Sequence, residues 1–236
     1  MLTIEQINRY SRQLMADKVG LEGQMKIRAA KILVIGAGGL GCPVLQYLAG
    51  AGIGTIGIVD FDTIAIHNLH RQVLYTTADI GKKKVAVAAE RLQAINPDCN
   101  LLGFDMKLEE EQANDLIGQF DLVIDGSDNF RTRYLVNDAC KALGKPLVYG
   151  SILNFEGQVA VFNYKGSNSL RHLFPEPPDP GDVPGCSENG VLGIVPGMIG
   201  TMMCDIALKI VLENEVPVNT LLIADFDRYQ FQKISY

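Results

Sequence analysis

The sequence predicts an α/β protein: a Rossmann-like, doubly wound, mostly parallel sheet with a mixed antiparallel extension toward the C-terminus. Three observations predict it. Short apolar, β-branched runs alternate with helical stripes through the first 150 residues. A glycine-rich turn, GAGGLG at residues 36–41, stands between the first such run and the helix that follows. After about residue 151 the helical stripes give way to strand-like alternation, broken by a proline-rich stretch.

Each element has a local reason. Thr3 and Gln6 have the spacing of a capping box and open a short polar helix through about Leu14, within a helical arm over residues 1–30. KILVI (31–35) is a buried parallel strand, CPVLQYLAG a helix and TIGIVDFD a second strand. A helix over 82–96 places Val85, Ala89, Leu92 and Ile95 on one stripe and ends at Asn96-Pro97. A strand at 101–104, a helix at 109–118, the strand DLVID (121–125), a helix over 130–143 and a strand at 146–150 complete the nucleotide-binding part, 31–150. Beyond it, GQVAVFNY (157–164) alternates as a strand, 199–212 is a helix, and 220–226 and 229–234 are strands. Residues 174–185 (FPEPPDPGDVPG) hold five prolines in twelve positions and form a crossing loop reaching to about residue 190.

Composition bounds the function. The 236 residues carry 21 basic and 27 acidic side chains, a net charge of −6, which disfavours a general nucleic-acid role. Mean hydropathy of +0.13 describes a globular chain. One domain of this size buries roughly 70% of its unfolded surface without a disulfide or metal. Five cysteines, an odd number with no CxxC pair, fit a reducing cytoplasm. The N-terminus lacks the apolar core of a signal peptide. Residues 32–59 hold no charge, but their eight glycines read as strand, turn, helix and strand rather than a membrane span.

The chemistry collects around the glycine turn. Gly36, Gly38, Gly39 and Gly41 form G-x-G-x-x-G, where backbone N–H groups at a helix start can approach a phosphate. Asp60 ends the second strand, where an acid bonds ribose hydroxyls. The motif alone does not separate NAD, FAD and ATP, and a glycine turn that serves only packing is the bland alternative. His67-Asn68-Leu69-His70-Arg71-Gln72 follows, with the two histidines read as loop residues rather than ligands. Lys82, Lys83 and Lys84 open a helix, where cations oppose the helix dipole and a bound anion would explain at least one. Asp125-Gly126-Ser127-Asp128-Asn129 lies at the end of the fourth strand, where carboxylates can hold Mg²⁺ against a triphosphate. Ser127 or Asp128 would also serve as a helix cap.

Together RYSRQ, GAGGLG, VDFD, NLHRQ, GKKK, DGSDN, FPEPP and GCSENGV stand in the order seen in the MoeB/ThiF/HesA family, the bacterial branch of the ubiquitin-activating enzyme superfamily, and the chain resembles it from about Arg9 onward. The resemblance implies MgATP as cofactor and adenylation of the C-terminal glycine of a ubiquitin-like sulfur carrier ending in Gly-Gly, for thiamine, molybdopterin or related sulfur-transfer synthesis. It implies that Asp60 holds the ribose, that Asp62 belongs to the cofactor-binding set, and that Asn68, Arg71, Gln72 and Lys84 contact phosphates. Asp128 then holds Mg²⁺, with Asn129 beside it. Arg12 resembles an arginine that reaches the neighbouring subunit's site, which implies a homodimer. Cys186 matches a loop cysteine that receives the acyl group or sulfur in some members.

Two departures from the family stand out. Many members hold structural zinc with two CxxC pairs; this chain has Ser169-Leu170-Arg171-His172 at one place and ends DRYQFQKISY near the other, so no zinc is expected. No rhodanese segment follows, so sulfur transfer is expected to use a separate sulfurtransferase. An NAD-dependent oxidoreductase, a non-catalytic ATP-binding partner of the same fold, and a member that adenylates a carboxylate on modified tRNA are the alternatives.

Overall fold

The computed structural model describes residues 1–178 and 190–236. The arm holds α1 (Ile4–Arg9), α2 (Ser11–Leu14) and α3 (Gly20–Ala29). The predicted capping box at Thr3 and Gln6 is present, but the helix breaks at Tyr10. Tyr10 is buried against Gly52, and its hydroxyl accepts from Asn96 Nδ2 at 2.8 Å. Gln13 and Gln24 both donate to the Ala51 carbonyl, at 3.1 and 3.0 Å.

The nucleotide-binding part runs β1 (Lys31–Ile35), α4 (Gly41–Ala51), β2 (Thr55–Val59), α5 (Lys84–Ile95), β3 (Asn100–Phe104), α6 (Glu110–Gly118), β4 (Leu122–Asp125), α7 (Phe130–Leu143) and β5 (Leu147–Leu153). The extension holds β6 (Glu156–Phe162), α8 (Leu170–Leu173), α9 (Ile194–Val211), β7 (Thr220–Asp225) and β8 (Gln230–Ser235). One eight-stranded sheet has the order β3-β2-β1-β4-β5-β6-β7-β8. The first five of these are parallel, and β6, β7 and β8 are antiparallel.

Side-chain alternation divides the core into two layers. Ile32 and Val34 of β1, with Leu122 and Ile124 of β4, face α4, α5 and α9. Leu33, Ile35 and Val123 face α6 and α7. The helix α9 has the length and composition to cross a membrane, yet it packs along α4, β5 and β6 with Val195, Ile199 and Met203 fully buried. Gly150 and Gly157 leave the room that Met203 and Ile199 fill.

Several boundaries differ from expectation. α9 begins at Ile194, because Pro196 lies in its first turn, where a missing N–H costs no hydrogen bond. In α5 the buried residues are Lys84, Val85, Val87, Ala88 and Leu92; Ile95 is exposed, and it is the next residue, Asn96, that turns inward, fully buried and donating to the Tyr10 hydroxyl and the Ala49 carbonyl. β5 continues to Leu153 because a tight hairpin through Asn154, at φ 52°, extends its pairing with β6.

Candidate functional site

The strand order reverses around β1, and the loops after β1, β2 and β4 meet at the C-terminal edge of the parallel strands, the usual ligand crevice of such sheets. The glycine loop is fixed from several sides. Gly36 has φ +88°, a conformation that glycine adopts at little cost. A Cβ at Gly41 would overlap the Gly36 carbonyl, so the loop closes only around glycine there. Ala37 N–H donates to Asp60 Oδ2 at 2.8 Å. The Ala37 carbonyl accepts from the buried Tyr75 hydroxyl, also at 2.8 Å. Gly39 lies against Pro196 of α9 and the Arg71 side chain, and Gly38 faces Gln72 Nε2.

The unfilled hydrogen-bonding capacity points outward from this loop. Among the described residues no backbone acceptor takes the N–H groups of Gly38, Gly39 or Leu40, which precede α4. Gln72 is 3% exposed, and its Oε1 has no partner among the described residues. Unclaimed donors at the start of an eleven-residue helix suit an anion, and the helix dipole adds to them. The residues therefore fit a nucleotide phosphate.

Asp60 is buried, and its two oxygens accept from Ala37 and Asp62, each at 2.8 Å. Asn68 is buried in a short 3-10 turn, and its Oδ1 accepts from Ala65 N–H at 2.9 Å. Arg71 is held at the crevice by the His67 carbonyl at 2.9 Å and by His70 Nε2 at 2.8 Å. That places both histidines as supports of the arginine.

The lysine run has a different explanation from the expected one. Lys82 pairs with Asp79, Lys83 with Asp105, and Lys84 with Asp62 at 2.7 Å. Intramolecular carboxylates compensate all three cations at the start of α5, and no anion is needed for that. Lys84 is 4% exposed while the Asp62 carboxylate is half-exposed, so the pair presents its acidic member outward.

At the end of β4 the two acids part. Asp125 is 1% exposed and accepts from Ser127 N–H at 2.9 Å. Burial pushes its carboxyl up from the usual range, against the pull of Arg133. Asp128 is exposed at the sheet edge. The helix cap is Asn129, not Ser127 or Asp128: Asn129 Oδ1 accepts from Thr132 N–H at 2.9 Å. A single outward carboxylate fits magnesium, which takes one or two protein carboxylates and the rest of its shell from phosphate and water. Among the described residues no cluster of three or more His, Cys, Asp or Glu forms a metal cage. At one of the two places that lack a CxxC pair stand Ser169 and an exposed His172, and this donor set does not fit zinc.

Arg12 lies elsewhere. It is exposed on α2, whose Gln13 touches the last residue of α4, while the glycine loop precedes the first. Eleven helical residues separate these ends by about 16 Å, so Arg12 stands at the edge opposite its own chain's loop. Cys186 lies outside the described residues. The other cysteines, Cys42, Cys99, Cys140 and Cys204, are buried. Arg133, which the sequence reading did not single out, is buried beside the Asp128 loop.

The family model of the ThiF family matches residues 10–236. The chain belongs to the ThiF family. It is 48% identical to a sulfur carrier protein adenylyltransferase of Thermus thermophilus, over 99% of this chain and 88% of that protein. It is 45% identical to the adenylyltransferase and sulfurtransferase MOCS3 of Anopheles gambiae, over 99% of this chain but 53% of that one. The chain thus spans about half the length of that two-activity relative. A structure of E. coli MccB with ATP shares the fold, at TM-score 0.81 and 20% identity, over 97% of this chain and 71% of that one.

Proposed function

We propose that this ThiF-family adenylyltransferase uses MgATP to activate the C-terminal carboxylate of a ubiquitin-like sulfur carrier protein ending in Gly-Gly. The observation that carries the reading is the set of unclaimed N–H groups at Gly38, Gly39 and Leu40, ringed by Asp60, Arg71 and Gln72. The names of the relatives support the carrier as substrate.

The chemistry asks little covalent help of the protein. A carrier carboxylate oxygen forms a bond to the α-phosphorus, the bond from that phosphorus to the bridging oxygen breaks, and pyrophosphate leaves with the electron pair. An acyl-adenylate remains. Catalysis is then positioning and charge neutralisation. Asp60 has lone pairs left for a ribose hydroxyl beyond the two N–H groups it accepts. Arg71 offers a planar guanidinium to phosphate oxygens. Asn68, Gln72 and Lys84 complete the polar wall, with Lys84 tethered by Asp62. Asp128, with Asn129 beside it, would meet the metal-bound phosphates. Asp128 would hold magnesium, which would supply positive charge to offset that developing on the phosphates.

Arg12, remote from its own loop, completes the site of a second copy in a homodimer. The carrier serves thiamine, molybdopterin or thio-tRNA synthesis in the cytoplasm, with sulfur supplied by a separate sulfurtransferase or rhodanese. The test is exchange of labelled pyrophosphate into ATP with a Gly-Gly carrier and with the same carrier lacking those two residues. Exchange that requires the intact tail is the expected result. Thermal stabilisation by NAD but not by ATP, with no exchange, overturns the reading in favour of a dehydrogenase.

A further inference from the structure

Asp128 is an exposed side chain on a loop, yet a metal–triphosphate demands a carboxylate at a fixed place. The backbone on either side of it is held. On its C-terminal side, Asn129 caps α7 through Thr132 N–H. On its N-terminal side, Ser127 N–H is taken by Asp125 Oδ1 at 2.9 Å, and the Ser127 carbonyl accepts from Arg133 Nη2 at 3.0 Å. That carbonyl belongs to the rigid peptide plane whose other end is the Asp128 nitrogen. Fixing its oxygen fixes the point from which the Asp128 side chain departs.

Arg133 is itself constrained. It is 7% exposed, its Nη1 donates to the Tyr149 hydroxyl at 2.9 Å, and its guanidinium lies 5.1 Å from the Tyr149 ring centroid and 5.9 Å from that of Phe130. A cation this early in a helix opposes the dipole, and burying it adds a desolvation cost. Packing alone would be served by an apolar side chain. A planar fork can bond a carbonyl and a hydroxyl at once, which a lysine ammonium at the end of a flexible stem does less well.

We infer that Arg133 is a positioning residue for the metal-binding carboxylate, holding the Ser127–Asp128 peptide so that Asp128 meets a metal-bound triphosphate preformed. Arg133 touches no reacting atom. The inference rests on the proposed reading of Asp128 and deepens it.

The experiment uses the full chain and compares wild type with Arg133→Lys, Tyr149→Phe, Asp128→Asn and the double variant Arg133→Lys/Asp128→Asn. Lysine keeps a positive charge near buried Asp125, so Arg133→Lys is the variant expected to fold, and melting temperatures check this. Calorimetry measures affinity for MgATP and for metal-free ATP, and pyrophosphate exchange measures turnover. Wild type should prefer MgATP, and Asp128→Asn should lose that preference. Arg133→Lys should lose roughly tenfold of it, as with other residues that orient metal ligands, while its affinity for metal-free ATP stays unchanged. Tyr149→Phe should lose a smaller part of the preference. In the Asp128→Asn background, Arg133→Lys should add nothing.

A merely structural role predicts equal weakening of both ligands, or an undiminished effect of Arg133→Lys in the Asp128→Asn background. Either result overturns the inference. So does a wild-type preference that survives Asp128→Asn, because Asp128 would then not be the carboxylate in question. Wild type that binds MgATP through Asp128 but shows no exchange with any Gly-Gly carrier overturns the proposed reaction and leaves the role of Arg133 standing.

Discussion

Asp60 and Ala37 join two loops across the sheet edge: the Asp60 carboxylate after β2 takes the Ala37 N–H of the glycine loop at 2.8 Å. Its second oxygen takes Asp62 N–H, so one side chain fixes the glycine loop and the start of the segment that carries Lys84's partner. In Asp60→Asn, one carboxylate oxygen becomes an NH₂ group that meets an N–H donor. Stability should fall by about 1–3 kcal/mol, the cost of leaving a buried polar group without its partner. ATP affinity should fall with it. Denaturant midpoints and calorimetry measure both, and wild-type values for the variant would contradict the coupling.

The sequence carried the edge of the sheet better than its supports. Gly36 to Gly41 and the helix over 130–143 are legible because each depends on neighbours within a few residues, and Asp60 is legible because it ends a strand, although its bond to Ala37, 23 residues away, is not. The partners of Lys83 and Lys84 were not, because Asp105 and Asp62 lie 22 residues away and ion pairs leave no periodic trace. Ser127 and Asp128 suit a cap as well as any small polar residue does; the Asp125 turn to Ser127 N–H shifts the cap onward to Asn129. Arg133 left a faint signal, a cation in the first turns of a helix. The short helix α8 left none, because four residues cannot show a period.

Asp79 gives the fold an acid-sensitive joint. Thr76 donates to it through both hydroxyl and backbone N–H, and Lys82 and Arg91 flank it. These contacts, the Thr76 hydroxyl first, hold its carboxyl well below the usual range. A depressed folded-state pKa gives stability that is fully present above the unfolded value near 4 and is lost as pH falls through the folded value. The stability gap between wild type and Asp79→Asn should therefore be full at neutral pH and shrink below about pH 4. Urea titrations at several pH values read it directly, and a gap that does not change with pH contradicts the assignment.

Zinc should not be needed to hold the root of the proline segment. Arg171 binds Asp138 through two hydrogen bonds, at 2.8 and 2.7 Å, and donates to the Pro175 carbonyl at 3.1 Å. The Tyr134 hydroxyl lies 2.7 Å from the Glu176 carbonyl. Tyr134 and Asp138 of α7, with Arg171 of α8, thus tether residues 174–176 without a metal. Tag-free protein should carry no stoichiometric zinc, and a chelator should leave its melting temperature unchanged. One zinc per chain in elemental analysis would refute this.

The placement of Arg12 at the edge opposite its own glycine loop makes a specific prediction about mixed chains. Arg12→Ala and Asp128→Ala should each be nearly inactive in pyrophosphate exchange. By analogy with removing one preorganised electrostatic group, Asp128→Ala should lose roughly 10²–10³ in rate. Mixed and allowed to exchange subunits, they should regain activity, because one of the two hybrid sites combines an intact Asp128 with an intact Arg12 from the other chain. Light scattering should report a dimer. A monomeric active enzyme, or a mixture that stays inactive while the subunits demonstrably exchange, would rule out action across an interface.

The cysteines separate by environment. Burial pushes the thiols of Cys42 and Cys204 up to about 12 and that of Cys99 to about 11, and raises Cys140 further. A thiolate is the reactive form, so at pH 7.5 these four are poor nucleophiles behind closed packing. Native protein treated with an alkylating reagent should leave all four unmodified by mass spectrometry, and any label should fall on Cys186. Adenylation uses only the carrier carboxylate and ATP, so Cys186→Ser should keep pyrophosphate exchange near normal. Any thioester or persulfide step after adenylation should fail in that variant. Loss of exchange in a folded Cys186→Ser protein would move the thiol into the adenylation step itself, and labelling of Cys42, whose Sγ donates to the Ala37 carbonyl, would show that the glycine loop opens in solution.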